Sequence, residues 1–300
     1  MPSAGDYAPI IWSDAPAAGN TGEHAVPASP SIDVPSASNR PLQPVCDGAF
    51  QQGGLAVCRT RPGAVVVIGD HQTIADAQGF VVFGFDWGAP AQETILFRAA
   101  EDSASLTFAI APRAFRTSRI DGVPQNTVTP NAEAQERIAR DRVLINRGYA
   151  SLAARAGFLD GFVWPVEGRI SSAWGAQRII NGTPARPHYG IDIAQPSGTP
   201  IRAPAGGVVS LAAPDLHQEG GLVMIDHGQG LISLYLHMSR IDVADGQVVA
   251  QGDVIGAVGA TGRATGAHLC WRLKWRDRFL DPSLAIPALA QARRTLATTP

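Results

Sequence analysis

His188-Tyr189-Gly190-Ile191-Asp192, Tyr235-Leu236-His237-Met238-Ser239 and Gly266-Ala267-His268-Leu269-Cys270 are three short segments that mix metal-ligand side chains with apolar ones. Around them run Arg169 to Trp174, Ile191 to Ala194, Gly207 to Ala212, Leu222 to Asp226, Ile232 to Leu236, Gln247 to Ile255 and His268 to Trp275. These runs are short and rich in β-branched residues, and Gly, Pro or Asp separates them. That pattern predicts an antiparallel β unit with almost no helix over residues 162–286. Glycine pairs such as Gly206-Gly207 and Gly220-Gly221 supply the turns and close backbone approaches that a coiled sheet needs.

Within this unit the ligand-type residues fall into pairs. His188 and Asp192 are four apart, so in an extended segment they share a face, and Gly190 between them leaves room for an ion. Zinc accepts imidazole and carboxylate together and needs a third protein ligand if one position is to stay open. His237 closes an apolar strand, with Tyr235 and Ser239 expected beside it on a polar face. His268 and Cys270 are two apart and point the same way, while Leu269 and Trp271 point into the core. A metal ligand is thereby set beside a proton-transfer group. Trp271 and Trp275 are expected in the core.

Outward from this unit the organisation changes twice. Residues 45–125 carry short apolar runs at Leu55 to Val57, Val65 to Ile68, Phe80 to Phe85 and Leu106 to Ile110. They predict a small antiparallel sandwich. His71 in this region is expected to be a solvated turn residue. Cys46 and Cys58 bracket a hairpin-sized segment, and a disulfide between them requires an oxidising compartment. Residues 130–157 carry helical periodicity, predicting a connecting helix bent or broken near Gly148. Residues 1–44 lack periodicity and are dominated by Ala, Pro, Ser and Asn, as in a disordered leader, with Ile10, Ile11 and Trp12 as its one anchor. Residues 287–300 are read as a tail. The fold class is therefore mainly β: a small β-sandwich, a connecting helix and a larger antiparallel β unit.

Composition limits the partners. The chain has 300 residues, a net charge of -2, 32 glycines and 23 prolines. Its basic residues are dispersed, which gives no electrostatic case for nucleic acid. No run approaches the roughly 18 apolar residues of a membrane-spanning helix, and Met1 opens no signal-peptide pattern.

In the second unit, SSAWGAQR, HYGIDIA, APAGGVV, VMIDHG, YLHMS, QGDVIGAVGATGRATGAHL and the closing Asp281-Pro282 occur in the order found in the LytM or lysostaphin type of zinc peptidase. This resemblance to the M23 peptidoglycan endopeptidases covers about residues 162–284. It implies a LytM-type catalytic domain with zinc on His188, Asp192 and the residue at 270, and with His237 and His268 assisting catalysis. It further implies attack of a metal-bound water on a peptide cross-link of bacterial cell wall, D-alanyl to diaminopimelate being the expected bond. Thr261, Gly262, Thr265 and Gly266 would hold the extended substrate. By the same resemblance Asp226-His227-Gly228 is a turn after a strand, outside the site. Peptidoglycan lies outside the cytoplasmic membrane, so the resemblance implies a periplasmic protein, free or membrane-tethered, whose signal or anchor segment is absent from this chain.

The sequence departs from the family at Cys270, where histidine is expected. Thiolate is a good zinc ligand, but together with a carboxylate it cancels the ion's charge. Three readings stay open: a working peptidase, a slow metal-binding enzyme, and a LytM-like factor that binds peptidoglycan or regulates other hydrolases alongside cell-wall or divisome proteins.

Overall fold

The computed structural model describes residues 42–122, 130–154 and 156–297. All but the last three residues of the expected leader, including Ile10, Ile11 and Trp12, lie outside the described residues. From Pro41 onward the chain clusters as one compact unit.

The fold is mainly β. Val45–Gly48, Leu55–Arg59 and Phe80–Gly84 form one small sheet, and His71–Ile74, Val65–Ile68, Gln92–Ala99 and Asp102–Ala109 form a second. Alternation drives their packing. Glu93, Ile95 and Phe97 of Gln92–Ala99 are buried while Thr94, Leu96 and Arg98 are exposed. Ile95 and Phe97 share a core with Val57, Val82 and Phe83 of the first sheet, which makes the expected sandwich. Cys46 and Cys58 are cross-strand partners and are disulfide-bonded.

The larger sheet runs in the order Val248–Val249, Gly207–Leu216, Gly220–Asp226, Leu231–Met238, His268–Trp275, Ile191–Ala194 and Arg169–Ser172, with Arg278–Leu280 added beside His268–Trp275. Every pairing in it is antiparallel. Leu231–Met238 is buried throughout because both its faces are covered. One face belongs to the main core with Tyr235, Trp271 and Trp275. The other belongs to a second cluster of Leu211, Met224, Leu234, Leu236 and Cys270. A strand covered on both faces reads as a continuous apolar run.

The connecting helix spans Ala132–Tyr149, capped by Asn131, whose Oδ1 accepts from the Ala134 N–H at 2.9 Å. It is not broken at Gly148. A Cβ there would lie 2.8 Å from Met224 Sδ and 3.1 Å from Leu211 Cβ, so the glycine lets the helix approach the sheet. The helix stops short of Gly157 because the next turn docks on Asp226, whose Oδ2 accepts from Ser151 Oγ and the Ala153 N–H. Ile145 and Tyr149 pack on the second cluster, whereas Leu144 and Leu152 are exposed. The expected tail is largely helical: Pro282–Ala297 is one helix, with Leu289, Ala292 and Leu296 buried.

Several contacts tie the sandwich side to the rest of the chain, among them Arg113 with Asp281 and Arg278 with Glu93. Thr117–Ile120 pairs in parallel with Gln177–Ile180, in a separate three-stranded sheet whose hairpin leads toward His188. His71 is not a solvated turn residue. It opens a strand, pairs with Asp277 and stands edge-on to Trp275 at 5.3 Å.

His227, read as a turn residue, is fully buried. Its Nδ1 meets the Gly206 carbonyl at 2.8 Å and its Nε2 meets Ser233 Oγ at 2.7 Å, and Ser233 in turn meets the Tyr235 hydroxyl at 2.7 Å. Burial lowers its pKa to about 4. Above pH ~6.5, the ordinary histidine value, folded and unfolded chains both hold it neutral. As pH falls from there toward 4 the unfolded chain takes up a proton that the folded chain refuses, so stability falls. Thermal melts over that range are expected to show a loss to which His237 and His188 add, and which shrinks by about 3 kcal/mol in His227→Asn. A pH dependence unchanged in the variant would assign the loss to other groups.

Candidate metal centre

His188, Asp192 and Cys270 come together, each offering one ligand atom, all within 4.8 Å of one another. Asp192 and Cys270 are direct cross-strand partners between Ile191–Ala194 and His268–Trp275. His188 lies just outside a strand, so the shared-face argument from spacing does not describe it. Its N–H donates to the Ala176 carbonyl at 2.9 Å and its carbonyl accepts from the Gly175 N–H at 2.7 Å. The preceding segment thus holds it over Asp192. Gly190 also has a different reason from the expected one. A Cβ there would lie 2.6 Å from Arg272 Cγ, 2.9 Å from the Trp271 carbonyl oxygen and 3.3 Å from Cys270 Sγ, so the residue permits close approach to the neighbouring strand.

The spacing fits a small tetrahedral cation. Bond lengths of about 2.0 Å to nitrogen or oxygen and 2.3 Å to sulfur separate tetrahedral ligand atoms by about 3.3–3.6 Å. Here His188 Nε2 lies 3.1 Å from Asp192 Oδ1 and 3.4 Å from Cys270 Sγ. Asp192 Oδ1 is buried without a well-aligned donor among the described residues, and its near neighbour His188 Nε2 is itself a ligand atom, the arrangement of a carboxylate oxygen that shares a cation with an imidazole. Its other oxygen accepts from Arg178 Nη2 at 3.2 Å. Ser172 Oγ sits 3.0 Å from His188 Nδ1, which fixes the ring with Nε2 toward the cluster.

The electrostatics follow from burial and charge. Burial lowers the His188 pKa, against the pull of Asp192, so the imidazole is neutral and able to ligate. Burial alone would raise the Asp192 pKa, but His188, Arg178 and His268 hold the carboxyl well below its ordinary range. Burial pushes the Cys270 thiol up to about 12, with Arg272 opposing. In the ion-free site it therefore carries its proton at neutral pH.

His237 and His268 join this cluster, with rings 4.9 Å apart. His268 Nδ1 meets the Gly266 carbonyl at 2.8 Å, and its Nε2 lies 3.7 Å from Asp192 Oδ1. His237 Nδ1 meets the Thr261 carbonyl at 2.8 Å. Both rings are thereby tied as Nδ1–H donors, with Nε2 left to work. Burial takes the His237 pKa down to about 4. The expected polar face around His237 is not present. Tyr235 is fully buried in the main core, and Ser239 Oγ donates to the Val258 carbonyl at 2.7 Å. His237 instead has a left-handed φ of 64°, where the register with Gly220–Asp226 shifts. This bulge turns the side chain out of the Tyr235 face and toward His268.

Of the expected substrate-contact residues, Thr265 and Gly266 are exposed beside His268. Thr261 has internal work: its hydroxyl bridges the Met238 carbonyl and the Gly221 N–H, each at 2.9 Å, and its carbonyl orients His237. Gly262, with φ of 66°, sits against Gly220. Ser172, Arg178 and Arg272 were not singled out from the sequence. Ser172 and Arg178 stand in the quoted SSAWGAQR segment, and Arg272 lies on the Cys270 face of its strand, so spacing alone places it there.

The sequence profile of peptidase family M23 matches residues 186–282. The chain is 41% identical over 130 residues to the DD-carboxypeptidase/endopeptidase Mpg of Neisseria meningitidis, covering 41% of this chain and 29% of that protein. It is 41% identical over 118 residues to the peptidoglycan DD-endopeptidase ShyA of Vibrio cholerae, covering 38% and 27%. It is 33% identical over 132 residues to the cell division protein DipM of Caulobacter vibrioides, covering 42% and 21%. The chain thus spans less than a third of the length of these relatives. A crystal structure of a candidate M23 peptidase from Pseudomonas aeruginosa is similar over 80% of this chain and 96% of that one, at 30% identity and a TM-score of 0.62.

Proposed function

The chain belongs to peptidase family M23, and on that premise we propose that it is a zinc-dependent endopeptidase of peptidoglycan, cutting peptide cross-links. The observation that carries this reading is the convergence of His188, Asp192 and Cys270 on one point, with the rings of His237 and His268 beside it. His188, Asp192 and Cys270 would hold the ion. When bound, zinc supplies Lewis acidity toward a carbonyl and makes a nearby water more acidic. His268 and His237 are the proton-handling pair. Their Nδ1 atoms are fixed on backbone carbonyls, so each presents Nε2 to a reacting amide in a set orientation. The exposed Thr265-Gly266 backbone is placed to pair with an extended peptide. D-alanyl to diaminopimelate is the bond we assign, in keeping with the DD-endopeptidase description of ShyA.

The Cys46–Cys58 disulfide supports an oxidising compartment, and we place the protein in the periplasm. Among the described residues no helix is long and apolar enough to cross a membrane. We also propose the division into residues 1–44, 45–125, 130–157 and 162–286, with no separate tail from 287 because the helix Pro282–Ala297 spans that boundary.

Cys270 itself favours a second reading, a weak or inactive LytM-like factor that binds peptidoglycan and acts through other cell-division or wall proteins, as the similarity to DipM would suit. The two separate in digestion of purified sacculi by zinc-loaded protein, followed by chromatography and mass spectrometry. Conversion of cross-linked muropeptides to uncross-linked ones, stopped by a chelator and restored by zinc, is the expected result. No conversion by either the native chain or Cys270→His, with binding to sacculi that survives the chelator, would establish the second reading.

A further inference from the structure

We infer that Arg272 is a positioning residue for the third metal ligand, and that the Cys270–Arg272 pair replaces the neutral imidazole expected at that place. The inference rests on the metal-centre reading above and goes beyond it in naming what makes a cysteine workable there. Cys270 and Arg272 lie two apart on the His268–Trp275 strand, opposite Leu236 and Leu234, so both side chains leave the same face. Arg272 Cγ and Cys270 Sγ stand 2.6 and 3.3 Å from one point, the place a Gly190 Cβ would take, so the arginine stem and the sulfur lie side by side. Arg272 Nε is buried with no partner of its own among the described residues and is free to serve that sulfur. The arginine stem is thus pinned at Gly190. The backbone that carries His188 and Asp192 therefore fixes the arginine as well.

Charge explains why this geometry matters. Two imidazoles and one carboxylate leave a divalent ion with one net positive charge. One imidazole, a carboxylate and a thiolate leave none. A guanidinium against the sulfur restores that single positive charge and directs N–H donors at the thiolate. Arg178 does not do this, because its donor is engaged with Asp192 Oδ2. Glu219 and Tyr149 flank Arg272 from the hairpin and the connecting helix. Outer-sphere partners of this kind are worth about 10- to 100-fold in metal affinity.

The test uses the full chain and two metals. Cobalt(II) titration reads the thiolate-to-metal charge-transfer band, and competition with a chromophoric chelator reads zinc affinity. Arg272→Gln is expected to weaken zinc by about 10- to 100-fold and to diminish the cobalt–thiolate band. Arg272→Lys, which keeps the charge, is expected to lose less. In a Cys270→His background, Arg272→Gln is expected to change zinc affinity little, because no thiolate is left to offset. Native affinity in Arg272→Gln, equal losses in the Gln and Lys variants, or the same loss in the Cys270→His background would each overturn the inference. Absence of a thiolate band in the native chain would instead overturn the metal-centre reading, and this inference with it.

Discussion

Replacing His268 by alanine is expected to cut cross-link hydrolysis by about 10²- to 10⁴-fold while leaving zinc affinity nearly unchanged. The separation follows from where the side chain stands. His268 Nε2 lies 3.7 Å from Asp192 Oδ1, against 3.1 Å for His188 Nε2, and Cys270 already fills the third ligand place on the same strand. Its Nδ1 is committed to the Gly266 carbonyl, so the ring is held with Nε2 at the rim of the cluster. That is the position of a group that trades a proton or hydrogen-bonds a developing oxyanion. The steady-state rate at which cross-linked muropeptides are lost and chelator competition for zinc measure the two effects separately. If metal affinity fell in step with activity, His268 would be a ligand and the division of roles proposed here would be wrong.

Gly190→Ala is expected to damage the metal centre directly, by adding one methyl between its strands. The backbone at 190 lies outside the left-handed region, so alanine meets no conformational objection there. The objection is space: the methyl would fall 2.6 Å from Arg272 Cγ and 2.9 Å from the Trp271 carbonyl oxygen. Neither the strand backbone nor the pinned arginine stem can move away without taking Cys270 along, and Cys270 Sγ is itself only 3.3 Å from the new atom. The expected outcome is a loss of about 1–3 kcal/mol in thermal stability together with loss of stoichiometric zinc binding. Gly88→Ala, where a Cβ meets nothing within 4 Å, is the control for a glycine substitution as such. Full zinc occupancy in Gly190→Ala would mean that the two strands can part without harm to the centre.

Much of this arrangement is legible in the sequence because it follows the period of the strand. Cys270 facing the site and Trp271 facing the core needed only alternation along His268–Trp275, and the burial of Leu269, Trp271, Leu273 and Trp275 agrees. The rest of the ligand set was read with the help of the resemblance to M23 peptidases, because His188 lies outside the strand and alternation does not place it. What alternation could not give was any place where the chain leaves its period. His237 reaches the site through a bulge with φ of 64°, and strict alternation put it beside Tyr235 instead. A signal was there in Gly221, across from Met238, where a Cβ would lie 2.5 Å from the Met238 carbonyl oxygen. A glycine inside a strand pattern often marks a bulge. Gly148 misled for a related reason: a helix glycine looks like a break, but sheet residues distant in sequence decide its use. His71 pairs with Asp277, a residue about two hundred positions away, and local chemistry says nothing of that.

The segment that carries the family signature is not a portable cassette. Ile191–Ala194 has its outer neighbour in Arg169–Ser172, and Ser172 Oγ holds the His188 ring through Nδ1. Arg178, which holds Asp192, sits on Gln177–Ile180, and that strand is itself zipped to Thr117–Ile120 from the sandwich side. A graft of residues 186–282 into another host would keep all three ligands. It would also open a raw sheet edge at Ile191–Ala194, prone to pair with a second copy, and leave the first histidine free to spin. Swapping the specificity of such proteins by exchanging domains therefore has to move the crossover point back to the strand that begins at Thr117.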